Sequence, residues 1–279
     1  MKNGIPNYNE IIFTKEQEEK IVDMYVNKHI STPKIGEEFG CSYNKICKVL
    51  NKYNIKRNYS SNRKYTLNET YFDNIDTPNK AYILGLMCAD GCNFPPKGTA
   101  YISLQESDRE LLEKIRKEIG STKELVVIDN SNRHDHGYSY NNMCTLNMYS
   151  RHICDSLTKL GVVRNKSLCL EFPEIDSSLH RHLLRGYFDG DGSVYRYYQK
   201  NKTTLTFTST ENFCKKIKEI VETELGIYCG IYDASNHNGI TKVASLSGTS
   251  AMKLLDWMYK DADLYMERKY KRYIQYSAA

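Results

Sequence analysis

Residues 83–91 read ILGLMCADG and residues 184–192 read LRGYFDGDG, 101 positions further on. Each stretch has the composition of a short apolar helix with small residues four apart. These are Ala81, Gly85 and Ala89 in the first copy, and Gly186 and Gly190 in the second. Positions i and i+4 share a helix face, so each helix offers a groove through which another backbone can approach closely. Each copy ends in Asp-Gly, and glycine is favoured just past a helix C-terminus.

The segments that follow also repeat. After the first copy come a strand-like run at 99–105 and a helix carrying Leu111, Leu112, Ile115 and Ile119. Strands near 125–128 and 144–148 and a helix over 150–160 come next. After the second copy come strands at 193–199 and 203–209 and a helix with Phe213, Ile217, Ile220 and Val221. Strands near 226–232 and 241–247 and a helix over 250–259 complete the half. The second half thus reads helix, two strands, helix, two strands, helix, and the first follows the same order with one strand marked before its second helix, which is a duplicated α+β unit.

With two such motifs and the same downstream order twice, residues 70–279 resemble the LAGLIDADG homing endonucleases in their single-chain, two-motif form. The second motif follows the signature closely. The first departs at Cys88, where the signature has an acidic residue. The resemblance implies an α+β, duplicated αββαββα fold with saddle-shaped antiparallel sheets. It implies hydrolysis of both strands of a specific DNA site, leaving short 3′ overhangs, as in intron homing. It places the catalytic acids at Asp90 and Asp191 and an active-site lysine in each half at Lys166 and Lys269. Glu106 and Ser209, which follow the second strand of each half, take the place of a further polar site residue.

Elementary electrostatics supports the same pair of acids. If the two motif helices pack through their small residues, Asp90 and Asp191 become neighbours. Close carboxylates repel, and both sit where the helix dipole is already negative. A hard divalent cation, Mg²⁺ or Mn²⁺, relieves this, because such ions take carboxylate, water and phosphate oxygens. The backbone carbonyls of Ala89 and Gly190 are further candidate ligands. Metal-assisted phosphodiester hydrolysis is the chemistry such a site suits.

Period-two alternation marks the strands. Tyr101, Ser103 and Gln105 alternate with Ile102 and Leu104, and Thr204, Thr206 and Thr208 alternate with Leu205 and Phe207. Ser245 and Ser247 flank Leu246, and Ser193, Tyr195, Tyr197 and Gln199 form another row. Alternation gives one core face and one polar face. By the resemblance, the polar faces lie over duplex DNA with strands in the major groove.

The first quarter of the chain is different. Residues 1–64 hold 12 Lys and Arg against 7 Asp and Glu, while the remainder holds 27 of each, so the whole net charge of +5 lies there. Thr14 to Gln17 reads as a capping box, followed by an apolar face of Ile21, Met24 and Tyr25. Ser31-Thr32-Pro33 starts a second helix carrying Ile35 and Phe39, which stops at Gly40. Cys41-Ser42 turns the chain into a third helix with Ile46, Val49 and Leu50 inward and Asn44, Lys45, Lys48 and Lys52 outward. This is a helix-turn-helix pattern, in which Tyr43, Asn44, Lys45 and Lys48 would meet base edges. Arg57 would follow a phosphate. The expected divisions are a helix-turn-helix DNA-binding domain at 1–57, a linker at 58–69, and repeats at 70–175 and 176–279.

The chain of 279 residues has 40% hydrophobic and 26% charged residues, a soluble globular composition. No run of 18 apolar residues is present, which argues against a membrane span, and the N-terminus lacks an apolar secretion signal. The nine cysteines show no C-x-x-C pair and suit free thiols in a reducing compartment. The expected protein is a monomeric, cytoplasmic DNA endonuclease with double-stranded DNA as partner. The alternatives are a non-cleaving DNA-binding regulator and a maturase acting on intron RNA.

Overall fold

A computed structural model describes residues 12–28, 30–55, 64–130, 134–135, 138–197, 202–234 and 241–278. The chain forms two compact units, Met1–Lys64 and Tyr65–Ala279.

In the first unit, α1 (Lys15–Val26) starts at the expected capping box: Gln17 N–H donates to Thr14 Oγ1 at 3.3 Å, and Thr14 N–H donates to Gln17 Oε1 at 3.0 Å. Helices α2 (Thr32–Glu38) and α3 (Tyr43–Lys52) follow. Gly40 makes the turn between them in the left-handed region, at φ +63°, where L side chains are disfavoured. Ile21, Met24, Tyr25, Ile35, Ile46, Val49 and Leu50 form the core. Ser42 is the N-cap of α3 but makes no side-chain capping bond. Lys52, expected on a free basic face, binds Glu18 at 2.6 Å.

The second unit holds the duplication. Its first half runs α4 (Pro78–Ala89), β1 (Gly91–Phe94), β2 (Thr99–Gln105), α5 (Arg109–Glu118) and β3 (Val126–Ile128). The short pair β4 (His134–Asp135) and β5 (Tyr138–Ser139) leads to β6 (Met143–Tyr149) and α6 (Arg151–Lys159). The second half runs α7 (His180–Asp191), β7 (Gly192–Tyr197), β8 (Lys202–Ser209), α8 (Glu211–Leu225), β9 (Gly230–Asp233), β10 (Lys242–Ser247) and α9 (Thr249–Tyr259). A final helix, α10 (Glu267–Ser277), was not expected. Its sequence, ERKYKRYIQYS, carries its buried side in tyrosines rather than aliphatics: Tyr270, Tyr273 and Tyr276 pack on the core.

Each half contributes one four-stranded antiparallel sheet, ordered β1-β2-β6-β3 and β7-β8-β10-β9. One continuous core joins them, from Leu84, Ile102 and Leu146 to Leu184, Leu205 and Leu246. At the centre α4 and α7 meet as the small residues demand. A Cβ on Gly85 would lie 2.0 Å from the Leu183 carbonyl oxygen, and one on Gly186 would lie 1.9 Å from that of Tyr82. The two contacts are reciprocal, as a pseudo-twofold pairing of the motifs requires.

Residues 65–69, expected within a linker, belong to this unit. Thr66 N–H donates to Thr122 Oγ1 at 2.9 Å, and Asn68 N–H donates to the Ile119 carbonyl at 3.0 Å. These bonds satisfy groups just beyond α5 that the chain reversal would otherwise leave bare. Residues 58–63 lie outside the described residues. No helix among the described residues is long and apolar enough to cross a membrane.

Candidate functional site

Asp90 caps the C-terminus of α4, and Asp191 is the last residue of α7. Close packing of the helices brings these ends together. A Cβ on Gly190 would lie 2.3 Å from Ala89 Cβ and 3.0 Å from Asp90 Oδ2. Asp90 is half-buried, whereas Asp191 is open to solvent on one side.

The Asp90 carboxyl is pushed up to about 6, first by burial and then by the negative charge of Asp191; Lys269, Lys166 and Arg268 oppose the shift. Asp191 is also raised by burial, against the pull of Lys166 and Lys269. In both acids desolvation is the leading cause, and the neighbouring lysines pull the other way.

The two predicted lysines reach the same place. Lys166 Nζ donates to the carbonyls of Ala89 at 2.9 Å and Gly91 at 2.6 Å. Lys269 Nζ donates to those of Phe188 at 2.5 Å, Gly190 at 3.1 Å and Gly192 at 2.6 Å. Each ammonium therefore caps carbonyls at the C-terminal end of a motif helix. Both lysines are buried, and burial lowers Lys269 to about 8, with Asp189, Asp90 and Asp191 holding it up. The candidate carbonyl ligands of Ala89 and Gly190 each accept one bond from a lysine ammonium, which leaves one lone pair on each oxygen. Among the described residues no group of three or more His, Cys, Asp or Glu is placed to hold a metal.

The sheet faces are largely as alternation implies. Ser193, Tyr195, Tyr197, Thr208 and Gln105 are exposed, and Tyr101, Ser103, Thr206, Ser245 and Ser247 are half-buried. Register puts Ser193 opposite Thr206 and Thr206 opposite Ser245, so these rows share one face. Thr204, expected on the accessible face, is only 8% exposed. It stands between Tyr195 and Ser247, its cross-strand partners. Ser103 shares a 2.9 Å hydrogen bond with Thr145 of β6. In the first unit Tyr43, Asn44 and Lys48 are exposed and Lys45 is half-buried. Arg57 and Gln199 lie outside the described residues.

Asn147 and Tyr149, on the polar face of β6, and Tyr232 of β9 were not singled out from the sequence. The alternation CTLNMY at 144–149 carries that signal. Glu106 accepts from Asn142 at 3.0 Å. Ser209 lines a cavity of about 200 Å³ beside Asp191, together with Thr241 and Tyr187. The Ser209 and Thr241 hydroxyls find no hydrogen-bond partner among the described residues.

Residues 178–256 match the sequence profile of the LAGLIDADG-like domain family. The matched segment spans α7 through most of α9, and the internal duplication extends the same order of elements to the first half. No curated protein matches the sequence.

Among solved structures, full-length DUF199/WhiA from Thermatoga maritima aligns with a TM-score of 0.45 at 17% identity, over 76% of this chain and 64% of that one. The meganuclease I-SmaMI bound to uncleaveable DNA aligns at 0.47 and 13% identity, over 72% of this chain and 89% of that one. The I-LtrWI LAGLIDADG homing endonuclease bound to target DNA aligns at 0.46 and 13%, over 76% and 90%. At these scores the likenesses carry no argument about the chemistry of this chain.

The raised Asp90 has a consequence for stability. A carboxyl that holds its proton more tightly in the folded chain stabilises the fold below its unfolded value of 3.8, and that stabilisation is lost as pH rises through about 6. Asp90→Asn is therefore expected to stabilise the metal-free protein by roughly 1–2 kcal/mol at pH 7–8, allowing for partial exposure. The gain should fade towards pH 4. Thermal or urea melts of both proteins across that range check it, and a wild type equally stable at pH 7.5 would count against the crowding of the two acids.

Proposed function

We propose that this protein is a metal-dependent, site-specific DNA endonuclease that hydrolyses both strands of a duplex. The observation that carries the reading is the meeting of Asp90 and Asp191 at the joined ends of α4 and α7, where each carboxyl is raised by desolvation and Asp90 also by the charge of Asp191. That donor set fits a hard divalent cation, Mg²⁺ or Mn²⁺, with few protein ligands and the rest from phosphate and water. Such an ion, when bound, supplies Lewis acidity towards phosphate and a lowered pKa for bound water.

The chain's own groups do the remaining work. Asp90 and Asp191 must both be ionised to receive the cation. Lys166 and Lys269 hold the carbonyls at the ends of both motif helices, and so fix the direction in which the two carboxylates point. Their charges also offset the anionic phosphate that approaches the acids. The polar rows of the two sheets supply groups that can read base edges and bind backbone, with Tyr149, Tyr195, Tyr197 and Tyr232 as exposed aromatic surface among them. Two unequal halves imply an asymmetric target.

Met1–Lys64 is proposed as a helix-turn-helix DNA-binding module that adds non-specific affinity. Its removal is expected to weaken duplex binding by roughly tenfold at physiological salt and to lower the salt slope by about 2–3. The rate of cutting of bound DNA should change little. Binding isotherms at several salt concentrations, with single-turnover cleavage beside them, test this; an unchanged affinity would remove the module from DNA recognition.

The experiment that tests the function is exposure of a randomised duplex library to the protein with Mg²⁺, against EDTA. Metal-dependent ends with a recurring flanking sequence are expected. Enrichment of bound duplex without any cut would instead make the protein a regulator, and binding of structured intron RNA alone would make it a maturase.

A further inference from the structure

One buried acid is not used by the chemistry above. Asp189 is 0% exposed and accepts three hydrogen bonds: from Tyr82 Oη at 2.8 Å, Tyr259 Oη at 2.8 Å and Met266 N–H at 2.7 Å. Met266 is the N-cap of α10, and its carbonyl accepts from the N–H groups of Lys269 and Tyr270, each at 3.0 Å. The carboxylate thus fastens the first turn of α10 to α7. Lys269 projects from that turn and returns to α7 with three bonds to the carbonyls of Phe188, Gly190 and Gly192. The result is a two-way clasp: Asp189 holds the base of the turn, and Lys269 holds the end of the motif helix. A buried carboxylate that loses a donor is costly, so the clasp has one well-defined arrangement.

The first half has no such clasp. The position matching Asp189 is Cys88, a buried thiol that makes no hydrogen bond among the described residues. Lys166 stands in the three-residue turn Lys166–Leu168, after Asn165 in the left-handed region at φ 57°. It caps two carbonyls rather than three, and among the described residues no carboxylate fastens its turn to α4. The difference follows from one motif position, which carries an acid in one copy and a thiol in the other.

We propose that Asp189 is a positioning residue for Lys269, and that its clasp makes the two halves of the site unequal, so that the two DNA strands are cut at different rates. The strand effect rests on the endonuclease reading. The clasp itself does not, and it can be measured without DNA or metal.

Amide hydrogen exchange on the full free chain reads the clasp directly. In the wild type, the hydrogen-bonded amides of Met266, Lys269 and Tyr270 should be protected like those of α7, and those at 166–168 should exchange at least about tenfold faster. Asp189→Asn should speed exchange at Met266, Lys269 and Tyr270 by about tenfold or more while 180–188 stays protected. Equal protection of the two lysine turns, or unchanged exchange in the variant, would overturn the proposal. The wild-type comparison stands even if the variant does not fold.

Cleavage of a target duplex labelled on each strand reads the consequence. Asp189→Asn and Lys269→Met should slow the same strand, each on the order of tenfold relative to the other strand, with nicked DNA accumulating. The double variant should be no slower than Lys269→Met alone, because the two residues act as one unit. Equal slowing of both strands, or losses that multiply, would show that Asp189 does not act through Lys269. If the wild type cut no duplex, the endonuclease reading would fail and hydrogen exchange would still decide the clasp.

Discussion

Asp191→Asn is expected to lower the rate of double-strand cleavage by on the order of 10³-fold, while the duplex still binds. Asn keeps the size of the side chain and one oxygen, so α7 can end as before. It removes the charge that would hold a divalent cation against the phosphate, a contribution of several kcal/mol to the transition state. In EDTA the variant should bind its duplex at least as tightly as the wild type, since a carboxylate facing phosphate repels it. That combination separates loss of chemistry from loss of the binding surface. Asp90→Asn should behave in the same way and should also gain stability near neutral pH. Single-turnover cleavage and a binding isotherm on the same DNA decide the matter. Undiminished cutting by either variant would place the site elsewhere. Weakened binding in both would mean that the acids support the surface and not the reaction.

The features legible in the sequence were those set by local pattern. The pairing of α4 with α7 was readable because Gly85 and Gly186 recur 101 positions apart on the same helix face, and only that face admits a second backbone. The alternation in β2 and β8 was readable because a half-covered strand must change polarity at every residue. Asp90 and Asp191 followed from the shared Asp-Gly ends.

The features that escaped the sequence depend on partners far along the chain. Asp189 and Arg185 sit among apolar neighbours in a helix that pattern alone reads as core. Arg185 donates to the carbonyls of Met258 and Leu264, and Asp189 accepts from Tyr82, Tyr259 and Met266. No periodicity encodes such contacts. For the same reason Lys166 and Lys269 were placed near the acids, but their hold on the helix-end carbonyls was not foreseen. That hold means the Ala89 and Gly190 carbonyls each share their oxygen with an ammonium group. Thr204 has the right parity for the open face, and only the register with Tyr195 and Ser247 explains why it is covered. Strand β1 was missed because Gly91–Phe94 is short and opens with the glycine that had been assigned to the helix end.

The joint between α4 and α7 should be the least tolerant place in the fold. Gly186→Ala sets a methyl 1.9 Å from the Tyr82 carbonyl oxygen and 2.9 Å from the Leu86 nitrogen; Gly85→Ala does the same against Leu183 and Tyr187, at 2.0 Å and 2.9 Å. Both obstacles are backbone of a helix, so no side-chain rotation relieves them. The helices must part along their whole contact, and a core packed at crystal-like density loses contacts on every side. Each substitution is expected to cost about 3 kcal/mol or more, the upper end for overpacking, which lowers the melting temperature by about 10 °C for a unit of this size. The two costs should not add, because one separation relieves both clashes. Gly226→Ala is the control: its φ is +62° with open space around it, so it should lose only about 1 kcal/mol from backbone strain. Calorimetry of the three variants tests the ranking. Parting the helices also separates Asp90 from Asp191, so a folded Gly186→Ala protein should cut far less than its remaining stability would imply. If it cut at the wild-type rate, the two acids would not need to be neighbours, and a shared cation site at the helix ends would be untenable.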